Sequence, residues 1–103
     1  FGYFKLIDDG DLGAYVARLG DVWRVSEIST KPYPSGRASH AVLSTLAALQ
    51  QEYRFAASDV AAIEARVPIL IHRLVGRRWT EGMTTAYARL CLPLLAALML
   101  TDG

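Results

Sequence analysis

Residues 39–53 read SHAVLSTLAALQQEY and carry the longest helical pattern in the chain. Apolar side chains recur every three or four positions along one helix face: Val42, Leu43, Leu46, Leu49 and Tyr53. Such spacing is typical of an amphipathic helix packed on a core. The sequence therefore predicts a helix that begins near Ala38 or Ser39 and ends near Tyr53.

On the N-terminal side, the sequence predicts a short helix and then a strand. Asp11 can cap a helix that begins at Leu12, and Gly20 is expected to end it. Residues 22–30, VWRVSEIST, favour a strand, although the alternation slips towards its end, where a bulge would restore it. Residues 1–10 predict a short apolar segment that enters a turn.

On the C-terminal side, residues 63–69 alternate apolar and charged side chains, which predicts a second strand. Pro68 places that strand at a sheet edge or marks its end. Residues 70–75 are apolar and show no clear period. Their secondary structure is therefore left open.

The last part of the chain predicts a helix over about residues 86–101. Thr84 or Thr85 is expected to cap it, and Pro93 to kink it or start a second segment. The apolar run over residues 90–100 has 11 residues. A membrane-spanning helix needs about 20, so this run predicts a buried core helix and no contact with a membrane.

The predicted order is helix, strand, helix, strand, helix, within one domain of residues 1–103. A small sheet covered by helices follows from it, so the predicted fold class is α+β, with α/β as the alternative. The formal charge of +1, from 11 basic and 10 acidic residues, argues against a nucleic-acid binder. A single cysteine excludes an internal disulfide framework and any multi-cysteine metal site.

Both ends of the sequence suggest a domain of a longer protein. The chain starts at Phe1 without Met, shows no signal peptide, and stops directly after the apolar run. Hydrophobic residues make up 52% and charged residues 20%. This balance predicts a face that another domain or a second subunit covers.

The residues from Lys31 to His40 form the best candidate site. Pro32 and Pro34 stiffen the loop, and Arg37 and His40 flank the start of the long helix, where free amides and the helix dipole attract anions. Lys31, Arg37 and His40 together predict a site for a carboxylate or a phosphate, where a desolvated Lys or His can move a proton. The alternative is a solvated basic loop, which the residue types alone favour.

Other candidates carry a weaker signal. His72 has no second ligand at metal spacing, so it is expected to be structural or exposed. Cys91 lies in an apolar helix and is expected to be an inert buried thiol. Residues 77–79, RRW, are candidates to bind an anion or to stack on a partner, but a solvated loop is the preferred interpretation. Arg89 interrupts an apolar run. Because a buried arginine needs an anionic partner, Arg89 is expected to meet a carboxylate of another domain.

Two segments resemble the MmgE/PrpD superfamily, which includes 2-methylcitrate dehydratase, cis-aconitate decarboxylase and iminodisuccinate epimerase. Residues 31–40, KPYPSGRASH, are similar to its KPYP-x-x-R-x-[ST]-H signature. Residues 86–93, AYARLCLP, with LTDG at residues 100–103, are similar to its EA[KR]FSLPY and LLDG segments. The order and separation of the two segments agree, and the resemblance covers nearly the whole chain.

The resemblance implies the smaller, lid-like α+β domain of a two-domain enzyme, whose large helical domain lies outside this sequence. It implies a cytoplasmic homodimer that needs no metal and no cofactor and acts on a di- or tricarboxylate. Lys31 takes the position of an active-site lysine, as a base or as a carboxylate anchor. Lys31 and His40 are the expected catalytic residues. The expected substrate-binding residues are Ser35, Gly36, Arg37 and Arg89.

Within the family, a 2-methylcitrate dehydratase-like lyase is expected first and an epimerase of the iminodisuccinate type second. Ser35 and Gly36 replace a Cys-Cys pair common in the dehydratases, and Tyr87 replaces the Glu of the second motif, so the reaction stays open between them. A non-catalytic interaction or dimerisation domain is the alternative of another class. A general anion-binding domain is a third. The isolated chain is expected to be inactive.

Overall fold

The computed structural model describes residues 11–102, which divide into two compact units, residues 11–30 and residues 31–102. The described residues form five α-helices and short 3₁₀ turns, are 55% helical, and contain no β-strand. The predicted α+β fold with a small sheet is therefore wrong, because this part of the chain is mostly helical. The apolar segment and turn predicted over residues 1–10 lie outside the described residues.

The first unit begins with helix α1, Leu12–Val16. Asp11 Oδ1 accepts a hydrogen bond from the amide of Gly13 at 2.8 Å, which confirms the predicted cap. The helix ends earlier than predicted, and turns continue the chain to Gly20. Gly20 has a φ of 93°, a left-handed conformation that glycine adopts without steric cost.

The first predicted strand is wrong, because a 3₁₀ turn over Arg24–Glu27 occupies its centre. Arg24 Nη1 donates to Glu27 Oε2 at 2.6 Å, and Ser26 Oγ donates to the carbonyl of Trp23 at 2.7 Å. Both bonds span three residues, so they favour a tight turn over an extended chain. The hydrogen bond that Arg24 donates to the Glu27 carboxylate raises the pKa of Arg24 above its ordinary value.

The second unit is organised by two helices that pack against each other, α2 (His40–Tyr53) and α5 (Leu92–Asp102). Gln50 Nε2 donates to the carbonyl of Leu100 at 3.2 Å and ties the two helices together near their C-terminal ends. The prediction for α2 is confirmed, and Arg54, with a φ of 52°, ends it. The buried apolar side chains are Leu43, Leu46, Val75, Cys91 and Ala96.

Two shorter helices, α3 (Ile69–Val75) and α4 (Thr85–Ala88), complete the second unit. Thr84 Oγ1 accepts a hydrogen bond from the amide of Tyr87 at 3.3 Å, which confirms Thr84 as the cap of α4. The predicted break near Pro93 is also confirmed, because Pro93 lies in the first turn of α5. Proline fits that position, since the amide it lacks has no partner there.

Cys91 lies between α4 and α5 and is fully buried. Its backbone forms an isolated antiparallel bridge to Gly76, which follows α3. The bridge joins the end of α3 to the start of α5. Within residues 11–102, no helix combines the length and the apolar character that crossing a lipid bilayer requires.

The second predicted strand falls in residues 60–68, which we call the linking segment because they connect the 3₁₀ turn Ala57–Asp59 to α3. Val60 (φ −96°, ψ 109°) and Pro68 (φ −56°, ψ 150°) give it extended ends. The backbone of residues 61–67 makes no hydrogen bond to another described residue. A strand needs such a partner, so the predicted strand is wrong. Pro68 does mark the end of the segment, as predicted.

Candidate functional site

An open groove lies between the loop of residues 31–36 and helix α4. Its cavity volume is about 680 Å³, within the range of about 300–1,000 Å³ for small-molecule sites. The residues that line it are Lys31, Pro32, Tyr33, Pro34, Ser35, Gly36, Ala86, Arg89 and Leu90. Two of these side chains are cationic and none is acidic. We call this cavity the KPYP groove.

The two walls of the KPYP groove are joined through the backbone. The amide of Gly36 donates to the carbonyl of Arg89 at 2.9 Å. A Cβ atom at position 36 would lie 2.6 Å from Leu90 Cδ2 and 3.2 Å from Val75 Cγ1, so any larger residue must displace the tip of the Leu90 side chain. The two segments that carry the family resemblance therefore meet in space, 53 positions apart along the chain. The Gly36 amide itself is already used and is not free for a substrate.

Two buried serines hold the loop in shape. Ser39 Oγ donates to the carbonyl of Gly36 at 2.7 Å, and Ser35 Oγ lies 2.8 Å from Ser39 Oγ. Because the Ser39 hydroxyl hydrogen goes to the carbonyl, the Ser35 hydroxyl is the donor of the second bond. Ser35 therefore faces the groove as an acceptor only. Its hydrogen is not available to a substrate carboxylate in this arrangement.

His40 lies beside the KPYP groove without lining it. Its ring meets the Tyr33 ring edge to face, with the centroids 5.3 Å apart and an interplanar angle of 80°. Tyr33 is held in turn by a 3.2 Å hydrogen bond between its hydroxyl and Ser44 Oγ on α2. The Nε2 atom of His40 is buried and has no hydrogen-bond partner among the described residues. Tyr33 thus separates the His40 ring from the groove.

Arg37 does not line the KPYP groove. It lines a second groove, between α2 and the linking segment, together with Glu64 and Arg66. The reason is the 3₁₀ turn Arg37–Ser39, in which successive side chains diverge by about 120°. Ser39 points into the interior and Arg37 into solvent. The amides of Ser39 and His40 donate to carbonyls of the same turn, so they are not free to bind an anion.

Arg89 is exposed, contrary to its expected burial in an apolar helix, and it lies where α4 ends. The apolar run is interrupted there, so the guanidinium reaches water and needs no buried carboxylate. On another side of α4, the guanidinium of Arg77 lies 4.8 Å from the centroid of the Tyr87 ring. Tyr87 Oη donates to the carbonyl of Arg78 at 3.2 Å. The sequence suggested that residues 77–79 stack on a partner. It did not identify Tyr87 of the same chain as the ring that Arg77 contacts.

Neither of the two weaker candidates, Cys91 and His72, lines the KPYP groove. Cys91 is a buried thiol, which confirms that prediction, and His72 is exposed on α3. Within residues 11–102, no group of three His, Cys, Asp or Glu side chains is placed to hold a metal ion. The groove walls formed by Ala86 and Leu90 were not singled out, although both lie in the second motif.

No family model matches the chain, and neither a curated protein nor a solved structure matches it. The resemblance to the MmgE/PrpD superfamily therefore stays a prediction from the two motifs.

Proposed function

We propose that residues 31–102 supply part of the substrate site of an MmgE/PrpD-type enzyme that acts on a di- or tricarboxylate. The observation that carries the proposal is the KPYP groove, in which Lys31 and Arg89 come from the two motif segments and no acidic residue is present. Such a groove is complementary to a small polyanion. The helical architecture lends no support to it, so the proposal depends on the site.

The proposed chemistry is acid–base chemistry at a carbon beside a carboxylate. In a dehydration, a base takes a proton from that carbon, the C–H electron pair becomes the second bond of an alkene, and the hydroxyl leaves as water after protonation. Negative charge builds up on the neighbouring carboxylate during this step. Lys31 and Arg89 as cations stabilise that charge.

Lys31 has two possible roles in this proposal. As a neutral amine it takes the proton, and as an ammonium it anchors a carboxylate. Arg89 has one role, that of a carboxylate anchor, because a guanidinium has hydrogen-bond donors and no acceptor. His40 acts on the groove through Tyr33, whose ring it contacts, so we assign it a positioning role unless its Nε2 atom meets a group of another domain.

An epimerase of the iminodisuccinate type remains the second candidate reaction. It needs the same proton removal beside a carboxylate, followed by return of a proton to the opposite face of the carbon. The large helical domain, a cytoplasmic location and a homodimer belong to the proposal as well. A lyase of the 2-methylcitrate dehydratase kind is placed first, although Ser35 and Gly36 replace the Cys-Cys pair common in the dehydratases.

A non-catalytic interaction domain is the candidate of another class, and one feature of α3 favours it. Ile69, Leu70 and Leu74 are 66%, 63% and 50% exposed. Exposed apolar side chains this close together are typical of a surface that another protein covers. On this alternative the groove has no substrate.

Ligand binding to the 103-residue chain separates these candidates. In an NMR titration with citrate, succinate and phosphate, we expect citrate to shift the amide signals of Ser35, Gly36 and Leu90 most. Lys31→Ala and Arg89→Gln each should weaken citrate binding by about 10–100-fold, as loss of a charged hydrogen bond does. Arg73→Gln, which removes an exposed arginine outside the groove, is the matched control.

Other results would change the assignment. Equal binding of phosphate and citrate would indicate a general anion site, and the absence of any shift would favour the interaction domain. For the reaction itself, the protein that joins these residues to a large helical domain is offered 2-methylcitrate, citrate, cis-aconitate and iminodisuccinate in D₂O. Lys31→Arg then distinguishes the roles, because it keeps an anchoring charge and loses the base.

A further inference from the structure

The linking segment presents a backbone edge without a partner. Between Val60 and Pro68 the backbone makes no hydrogen bond to another described residue. Its side chains are equally open: Glu64 and Arg66 are 77% and 90% exposed, and Ile63 is 44% exposed. An open edge with alternating side chains is a template for pairing with another strand.

The sequence of this edge is self-complementary. Residues 63–67 read IEARV, so a reversal about Ala65 exchanges an apolar residue for an apolar one and an acid for a base. In an antiparallel pair centred on Ala65, Ile63 faces Val67 of a second copy, and Glu64 faces Arg66 of a second copy. The two-fold symmetry produces each of these contacts twice.

We propose that the linking segment is an interface between two copies of this chain, which pair residues 63–67 as antiparallel strands. The inference deepens the proposed function, because it names a contact for the homodimer, and it rests on that part of the proposal. The charges favour a second copy of this chain as the partner. In an antiparallel pair centred on Ala65, each glutamate faces an arginine of the other copy. A parallel, in-register pair would set acid against acid and base against base, which is unfavourable.

The side-chain geometry already suits this pairing. Arg66 Nε lies 2.9 Å from Glu64 Oε1 within one chain, so both charges are on the same face of the segment, as residues two apart in a strand are. Pairing gives each charge a second opposite partner across the strands. Pro68 limits the ladder, because it has no amide to donate.

The paired segment is short, and the residues that directly follow it can add apolar area to the interface. Ile69 and Leu70 follow the segment directly and are 66% and 63% exposed. A five-residue ladder buries less than the roughly 1,200 Å² of a standard interface. We therefore expect a weak dimer, whose population rises with protein concentration.

Sedimentation velocity over about a hundredfold range of concentration tests the inference. We expect the unaltered chain to shift from monomer to dimer as concentration rises. Glu64→Arg and Arg66→Glu each place like charges across both pairs, so each should raise the dimer dissociation constant by about tenfold or more. An equimolar mixture of the two variants should restore dimers, because opposite charges then face each other again across the mixed pair.

Arg78→Glu is the matched control, since it makes the charge change of Arg66→Glu at an exposed position in the loop after α3, outside the paired residues and outside the apolar pair of Ile69 and Leu70, and should leave the dimer intact. Both altered residues are exposed, so the variants should fold, which circular dichroism checks. A chain that stays monomeric at every concentration overturns the inference. So does a dimer that neither variant weakens, or a mixture that associates no better than its components.

Discussion

The loop of residues 31–36 and the linking segment are both irregular in structure, and they differ in what holds them. The loop is fixed by the Gly36 amide on the Arg89 carbonyl and by the buried pair of Ser35 and Ser39. The backbone of residues 61–67 has no comparable bond to the described residues. Irregular backbone becomes a defined surface only where its polar groups have specific partners.

The difference also separates two kinds of apparent site. The KPYP groove has walls from distant parts of the second unit, and a backbone hydrogen bond joins them. The grooves along the linking segment, about 460 and 550 Å³ in volume, border a segment whose backbone is unpaired. A ligand site requires a backbone that is held in place. An edge that pairs with another strand requires backbone groups that are still unpaired.

The largest expected effect is at the contact that closes the loop. Gly36→Val places new carbon atoms against Leu90 and the buried Val75, so it should lower the free energy of unfolding by about 3 kcal/mol. Urea denaturation measures this. Ala61→Val, on the exposed linking segment, should change it by less than about 0.5 kcal/mol. Similar costs at the two positions would show that the loop is no better held than the segment.

A middle-sized effect is expected from the buried hydroxyl of Ser39. Ser39→Ala leaves the Ser35 hydroxyl without an acceptor and the Gly36 carbonyl without that donor, which should cost about 2 kcal/mol. The control is Ser44→Ala, because the Ser44 hydroxyl is exposed and its loss should cost less than about 0.5 kcal/mol. Thermal unfolding followed by circular dichroism compares the two. If Ser39→Ala were as mild as the control, the buried hydroxyl pair would not be what fixes the loop.

The smallest effect is expected on the linking segment. Arg66→Ala removes an ion pair whose side chains are mostly exposed, so the stability of the monomer should change by no more than about 0.5 kcal/mol. Urea denaturation of dilute protein tests this. A loss above about 1 kcal/mol would mean that Arg66 holds the segment onto the helices, and the comparison drawn above would fail.

The parts of the fold that the sequence predicted are those that neighbouring residues determine. The caps at Asp11 and Thr84, the helix over His40–Tyr53 and the break at Pro93 each follow from side chains within one or two turns. The strands failed for the opposite reason. Alternation describes where side chains point, whereas a sheet needs a second strand, and that partner is set by contacts far away in the chain.

The candidate site was predicted in part, for a related reason. Lys31, Ser35, Gly36 and Arg89 line one groove, and only the motif resemblance connected them in advance. Arg37 was grouped with Lys31 by its position in the sequence. One 3₁₀ turn directs it elsewhere, and the spacing of charges alone does not reveal such a turn.

The alkylation rate of the single cysteine reports how often the second unit opens. Cys91 is fully buried at the bridge to Gly76, so an alkylating reagent reaches its thiol only when the residues around it open. In the limit of fast reclosing, the ratio of the alkylation rate to that of a free thiol equals the fraction of molecules open at that instant. A ligand that binds in the KPYP groove and stabilises the closed unit would lower the alkylation rate of Cys91. The measurement needs no probe attached to the chain beforehand.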